Sequence, residues 1–428
     1  MKQPMKWLAL ICLAVVGVPI APQSASAGEN WPDYRGPTFD GHTDATNLPL
    51  EWSETKNVKW KTAIHGRAWS SPIIWGNQVW MTTATPDGKK LTVICVDKTN
   101  GKILLDQQLF QIAKPQFAHK YNTYASPSPT IEEGRVYVTW GSPGTACLDT
   151  KTLKVVWKRG DLVCDHFRGA GSSPVIWKDT LILTHDGADV QYVIALDKKT
   201  GKTVWKTDRS TDFKDLVNGK PKRDGDERKG YSTPYFISVG GKTQMISPGA
   251  KAAFAYDPDT GKEIWTVTYP QHSPAARPMY GHGLVYINTG YGRSQLLAVK
   301  PDGKGDVTKS HVVWSIGNSN LRKPSSVLVG DLLISCDDSG VALCLDAKTG
   351  EEIWKERIGG KFSASALHAK GRVCFVDEDR GYTTVIAPGK EFKVLAKNKL
   401  DAGSMGSPAV SGNALFLRTT THLYRIEE

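Results

Sequence analysis

The sequence has no stretch in which apolar residues return at helical spacing, no heptad run and no glycine-rich nucleotide fingerprint. Those absences exclude helical bundles, coiled coils and dinucleotide-binding α/β folds. Membrane-spanning runs are missing too: the one long apolar stretch, Trp7 to Ile20, has 14 residues and falls short of a bilayer. Flanked by Lys2 and Lys6 and by the small-residue site Ala25-Ser-Ala27, it reads as a signal peptide over residues 1–27, which predicts a periplasmic or secreted chain. Cysteine is sparse, at 7 of 428 residues, and Cys12 inside the apolar run lacks the preceding small residues of a lipid-attachment site. The formal net charge of +11 permits an anionic partner, but no basic tract interleaved with aromatics is present, so nucleic acid is not expected.

What is present is a repeat. Aspartate, two variable residues, Thr-Gly-Lys or a near match, then tryptophan eight places after the aspartate recur from Asp149 to Trp157, Asp197 to Trp205, Asp257 to Trp265 and Asp346 to Trp354, with Asp97 to Leu105 as a variant. A short apolar run precedes each copy. The aspartate ends a strand and can accept hydrogen bonds from the backbone just beyond it, while glycine supplies the positive φ of a tight hairpin. The tryptophan then falls on the next strand, where it can pack between sheets that cannot bury their faces alone. Repetition at this period points to a radial array.

Eight segments open such units: Ser71-Pro72, Ser128-Pro129, Ser173-Pro174, Thr233-Pro234, Arg277-Pro278, Pro324-Ser325, Ser363-Ala364 and Ser407-Pro408. The fifth turn carries extra residues before Trp314, and the seventh reaches only Leu395. After the β-runs 409–410, 414–418 and 422–426 the last unit has no outer strand, whereas Asn57-Val-Lys-Trp60 has the tryptophan but no preceding strands. These two ends should pair and seal the ring. The expected fold is therefore all-β: an eight-bladed β-propeller of four-stranded antiparallel blades over residues 57–428, closed by pairing of N- and C-terminal strands, with residues 28–56 as an ordered N-terminal strap. Trp60, Trp157, Trp205, Trp265, Trp314 and Trp354 are expected between blades, and a single propeller is expected to be monomeric.

Loops from an outer strand to the next inner strand would all emerge on one face, around the channel mouth. They carry Arg67 and Trp69; His119, Tyr121, Asn122 and Tyr124; His166 and Arg168; Tyr231; His272 and Arg277; Asn320, Arg322 and Lys323; and Phe362. Convergent cationic and aromatic groups at a concave opening make a candidate rim for an envelope protein or an anionic ligand. The competing reading is that they cap strands and fill the channel. Two long connections, Asp106 to Ala125 and Lys206 to Ser232, should rise above the same face, the mixed-charge run Lys220 to Lys229 forming a solvated tip. Asp224-Gly-Asp226-Glu227 lacks the ligand spacing of a calcium loop. Histidines are scattered, so no catalytic or metal-binding residue is assigned. Cys95, Cys147 and Cys344 hold the same repeat position that Ala195 and Ala255 hold elsewhere, which makes them small core residues rather than disulfide partners, while Cys164 is left open.

The Ala/Cys-Leu-Asp-x-x-Thr-Gly-Lys-x-x-Trp units with Ser-Ser-Pro openings resemble the pyrroloquinoline quinone-like repeats of eight-bladed quinoprotein propellers and of the B component of the bacterial outer-membrane β-barrel assembly machinery, over about Asn57 to Ile426. The quinoprotein branch implies a quinone held by two adjacent cysteines, a stacking tryptophan and a calcium ion. This chain has no adjacent cysteine pair, and Trp69 is its one candidate for stacking. The assembly-factor branch matches in size and in being a propeller alone, but differs in the missing lipid-attachment cysteine. The resemblance implies an exported, non-catalytic interaction scaffold of the envelope, with no cofactor expected. A dehydrogenase-like oxidoreductase using pyrroloquinoline quinone with calcium, and a propeller that binds or acts on acidic glycan, are the alternatives.

Overall fold

A computed structural model describes residues 28–428; the expected signal peptide lies outside the described residues. The chain folds as eight blades of four antiparallel strands arranged as a propeller, and two blades gain a fifth, parallel strand, His42–Thr43 beside Leu367–Ala369 and Gly305–Asp306 beside Glu263–Thr268. Blade 1 comprises Ile73–Trp75, Gln78–Ala84, Lys90–Asp97 and Ile103–Gln111, and six further blades follow in sequence. Blade 8 takes three strands from the carboxyl end, Ala409–Ser411, Ala414–Arg418 and His422–Ile426, and its outer strand, Val58–Ala63, from the amino end. Val58 pairs with Ile426 and Ala63 with His422, so the expected closure is present, with the strand starting one residue later than Asn57 and running three past Trp60.

The repeat acts at two places at once. In every copy the aspartate Oδ1 accepts the backbone N–H groups two and three residues on, as Asp197 does from Lys199 at 3.1 Å and Thr200 at 2.8 Å. Gly201, at φ 72°, then donates its N–H to the Asp197 carbonyl. That glycine has a second duty across the blade boundary. A Cβ on Gly101, Gly201, Gly261 or Gly350 would lie 2.5 to 2.8 Å from the indole of Trp60, Trp157, Trp205 or Trp314, each on the outer strand of the preceding blade. The ring lies flat on a backbone without a side chain, and for Trp60, Trp157 and Trp314 the Nε1 also bonds the same turn, as Trp157 does to the Lys198 carbonyl at 2.9 Å. Opposite every docking tryptophan but Trp60, which faces Arg425, stands a small residue on its own sheet, with Cys147 facing Trp157, Ala195 facing Trp205, Ala255 facing Trp265, Ala298 facing Trp314 and Cys344 facing Trp354. The six described cysteines are buried and unbridged, and burial pushes the Cys147 thiol up to about 11.

A ring of hydrogen bonds ties the inner strands together. The N–H of Ser71 donates to the Ser128 hydroxyl, Ser128 to Ser173, Ser173 to Thr233, Arg277 to Ser325, Ser325 to Ser365, Ser365 to Ser407, and Ser407 back to Ser71, at 2.8 to 3.1 Å. The equivalent openings of blades 6 and 7 are thus Ser325-Ser326 and Ser365-Ala366, a correction to the expected Pro324-Ser325 and Ser363-Ala364, because the hydroxyl that completes the ring fixes the register.

The one break is at blade 5, where Arg277 stands in place of the hydroxyl residue. Its buried guanidinium pairs with Asp33 at 2.6 Å and donates to the Pro234 carbonyl. Asp33 belongs to a segment that crosses the channel. Trp31 pairs with Ile74 of blade 1, Pro32 accepts from Ile131 of blade 2, Arg35 donates to carbonyls of Ser326 and Ala366 in blades 6 and 7, and His42 pairs with His368. Residues 31–42 therefore plug the channel.

Trp265 is fully buried, whereas Trp205 is only half-buried and its Nε1 has no partner. Trp265→Ala should cost about 3–5 kcal/mol in denaturant unfolding, Trp205→Ala less, and Cys147→Ala far less than either. Equal midpoints for Trp265→Ala and the parent would refute the docking role.

Candidate functional site

Above the plug lies a cavity of about 710 Å³ that opens on the face bearing the outer-to-inner connections. Of the expected rim residues, Trp69, His119, Tyr121, Asn122, Arg168, Tyr231, His272, Arg322 and Lys323 line it, and Tyr34 of the plug reaches it from below. Arg67 stands just outside, its guanidinium 5.3 Å over the Trp69 ring and bonded to the Lys120 carbonyl. Tyr124 packs against Gly88 and the core between blades 1 and 2. Asn320 accepts from Arg322 and turns the loop at φ 52°. Phe362 is buried in a blade core. Arg277, expected at the rim, points into the channel and clamps the plug instead, since its blade-opening position faces the ring interior.

His166 is also displaced from the mouth. It is buried, its Nε2 accepts the Ser142 N–H at 2.9 Å, and its Nδ1 lies 3.7 Å from Cys164 Sγ. Burial pushes the imidazole down to about 4 and the Cys164 thiol well up. A neutral imidazole beside a neutral thiol has no thiolate to offer a substrate, so this pair is a packed structural contact.

The mixed-charge insertion is solvated at Lys220, Lys222, Arg223 and Asp224 but pinned to the mouth from Asp226 to Lys229. Leu216–Val217 and Lys220–Pro221 form a short hairpin, and Lys222–Arg228 wind as a 3-10 segment beside the mouth. Asp226 receives both Arg168 Nε and Nη2 at 2.7 Å and Lys229 Nζ at 2.8 Å. Lys229 itself is wholly buried, donates to the Phe167 carbonyl and Tyr231 hydroxyl, and is pushed down to about 8 by burial against the pull of Asp226. Asp226 and Lys229, which looked suited to water, are instead matched to partners on other loops, which no local pattern reveals.

The carboxylates were missed for a different reason. Asp338, Glu378 and the aromatic Tyr291 come from connections between the second and third strands of their blades, which emerge on the same face as the outer-to-inner loops. A two-way alternation of strand direction makes both loop sets neighbours, and the second set was not considered. Glu378 accepts from Lys323 Nζ at 3.1 Å and from the Ser363 hydroxyl. Asp338 accepts the Lys323 N–H at 3.2 Å, and burial, with Glu378 nearby, raises its carboxyl to about 6 despite Lys323. Five cationic side chains line the cavity, Arg168, Arg223, Arg322, Lys323 and Lys361, against three carboxylates, Asp226, Asp338 and Glu378.

A profile of the family described as outer membrane protein assembly factor BamB matches residues 60–226 and 306–391. Among curated proteins, the chain is 24% identical over 255 residues to the quinohemoprotein alcohol dehydrogenase ADH-IIG of Pseudomonas putida, covering 53% of this chain and 31% of that one. It is 32% identical over 110 residues to outer membrane protein assembly factor BamB of Burkholderia pseudomallei, covering 25% and 28%. Each match thus spans less than a third of the relative's own length. Among solved structures, BamB from Moraxella catarrhalis superposes with TM-score 0.57 at 13% identity over 86% of this chain and 99% of that one. A europium-containing methanol dehydrogenase gives 0.62 at 13% over 92% and 90%. At that identity the likeness establishes the fold.

The raised carboxyl gives a pH test. A folded-state pKa above the ordinary value means that Asp338 binds its proton more tightly when folded, so its ionisation costs stability above about pH 6 and nothing below about pH 4. Asp338→Asn keeps the acceptor for Lys323 and should raise stability at pH 8 by about 1 kcal/mol, allowing for solvent at the mouth, with no gain at about pH 4. Calorimetric melting at both pH values checks it; an equal gain at both would sink it.

Proposed function

The chain belongs to the family described as outer membrane protein assembly factor BamB, and from that membership we propose that it is an exported, non-catalytic propeller of the cell envelope that engages its partners through the mouth face. One observation carries the reading: the three exposed aromatic side chains among the described residues, Phe117, Tyr121 and Tyr291, all stand on that face, at 55%, 61% and 58% exposure. Phe117 continues into Phe167, at 5.6 Å, and Arg322 stacks 5.1 Å over Tyr291. Aromatics with arginine are the mix enriched where proteins meet, and most of the energy resides in such anchors. Among the described residues no helix is long and apolar enough to cross a membrane.

The dehydrogenase names among the relatives raise a quinone as the competing ligand, with the calcium ion that the resemblance to quinoprotein propellers implies. The residues at the mouth do not fit that pair. No two cysteines are adjacent, Arg67 covers a face of Trp69, and Asp226 and Glu378 are already held by Arg168, Lys229, Lys323 and Ser363. Nor, among the described residues, do three His, Cys, Asp or Glu side chains converge as metal ligands.

Capture of envelope proteins by the purified chain, read by mass spectrometry, tests the proposal. Replacing Tyr121, Tyr291 and Arg322 together by Ala should lower partner yield about tenfold or more, while Lys199→Ala with Lys370→Ala on the opposite face should leave it intact. Retention by the triple variant overturns the mouth assignment. Dye-linked alcohol oxidation appearing on addition of pyrroloquinoline quinone and calcium overturns the non-catalytic reading.

A further inference from the structure

The cavity beneath the rim is distinguished by the direction of its polar groups. Ser71, Ser128, Ser173, Ser365 and Ser407 of the inter-blade ring line its floor. Each hydroxyl oxygen already accepts the N–H of the preceding blade, at 2.8 to 3.1 Å. Each serine retains its proton and one further lone pair, and among the described residues no protein group takes that proton. On the wall, Trp69 Nε1 and Arg322 Nε are buried without partners. Arg322 bonds only to the Asn320 side chain and the Gly292 carbonyl and makes no ion pair among the described residues. The acceptors on the same wall are engaged: Asp226 by Arg168 and Lys229, Glu378 by Lys323 and Ser363, Asp338 by the Lys323 N–H.

A donor-rich cavity selects by inventory, because a buried polar group without a partner costs about 1–3 kcal/mol. An extended peptide brings an N–H for every carbonyl, and the Arg322 guanidinium and the Trp69 N–H can accept none of them. A neutral sugar brings a donor with each hydroxyl. Carboxylate and sulfate groups bring acceptors alone, and they complement Arg322, the one of the five lining cations that makes no ion pair among the described residues, since Arg168, Arg223, Lys323 and Lys361 are held by Asp226, Glu227, Glu378 and Asp379. At about 710 Å³ the space suits a few sugar rings. Tyr121 and Tyr291 present flat apolar faces at its entrance.

We propose that this cavity binds the end of an acidic saccharide, its carboxylate or sulfate groups held by Arg322, the Trp69 N–H and the serine floor, and its ring faces by Tyr121 and Tyr291. The assignment rests on the mouth as the recognition face, and it requires no particular protein partner.

Calorimetric titration of the full chain with trigalacturonate, a heparin-derived tetrasaccharide, cellotriose and hexaglutamate tests it. At least one acidic saccharide should bind about tenfold more tightly than cellotriose and hexaglutamate. Arg322→Gln and Trp69→Phe, each with its melting temperature checked, should weaken that binding by about fivefold or more. The stronger of the two acidic saccharides identifies the anion. Binding by neither, equal or tighter binding of cellotriose, hexaglutamate or pyrroloquinoline quinone, or affinity unmoved by both substitutions in folded protein overturns the proposal. Envelope capture that survives such a failure leaves the mouth assignment standing, and saccharide binding without envelope capture separates the two the other way.

Discussion

Four of the eight blade junctions are held by a flat indole resting on a piece of backbone that has no Cβ. That contact makes one glycine answer two demands, a left-handed φ for its own hairpin and empty space for the neighbour's ring. The exceptions obey the same constraint. Where blade 2 carries Leu153 at the turn position, at φ 59°, blade 1 carries Leu105 instead of tryptophan, and the two side chains meet in one core cluster. Blade 7 ends in Leu395 where its neighbour, blade 8, has no such turn, because that blade's outer strand arrives from the other end of the chain. In blade 5 the turn is long, and its Gly305–Asp306 adds a parallel strand beside Trp265 of blade 4.

The inner circumference follows a second rule, one hydroxyl per blade, and the single departure from it supplies the floor of the site. Arg277 removes a link from the serine ring, and Ser232 compensates locally by donating to the Ala276 carbonyl at 2.8 Å. In exchange its guanidinium ties Asp33, and with it the plug, into the channel. The buried arginine of the plug, Arg35, is satisfied by carbonyls and not by a carboxylate, and burial lowers it to about 10. The same ring that aligns the blades leaves its hydroxyl protons facing the space above, so the polarity of the cavity is a by-product of how the ring is closed.

Periodic features were readable from the chain. Blade number, the seam at Val58–Ala63, the unbridged cysteines and the docking tryptophans all follow from spacing and hairpin chemistry that repeat in register. What repeats less regularly was harder to place. Pro324-Ser325 and Ser363-Ala364 were off register because serine is common near those openings and only the cross-blade hydrogen bond selects the right one. Arg277 and His166 share loops with true lining residues yet point elsewhere, a matter of side-chain direction that composition does not encode. Asp226 and Lys229 sat in a run that local charge alternation describes as solvated, whereas Arg168, 58 residues away from Asp226, gives it a buried partner.

The seam also imposes an order on the molecule's assembly. Val58–Ala63 pairs with His422–Ile426, the last strand of the chain, so one of the first β-segments must remain without its ladder until nearly the whole polypeptide is present. The plug lies just upstream of that segment and touches inner strands of five blades, so its full set of contacts exists only once those blades stand in the ring. Loop-closure entropy weighs against such distant contacts until the intervening blades have formed. Closure is therefore a late event, and the plug, bonded to five blades at once, braces the ring after it has shut.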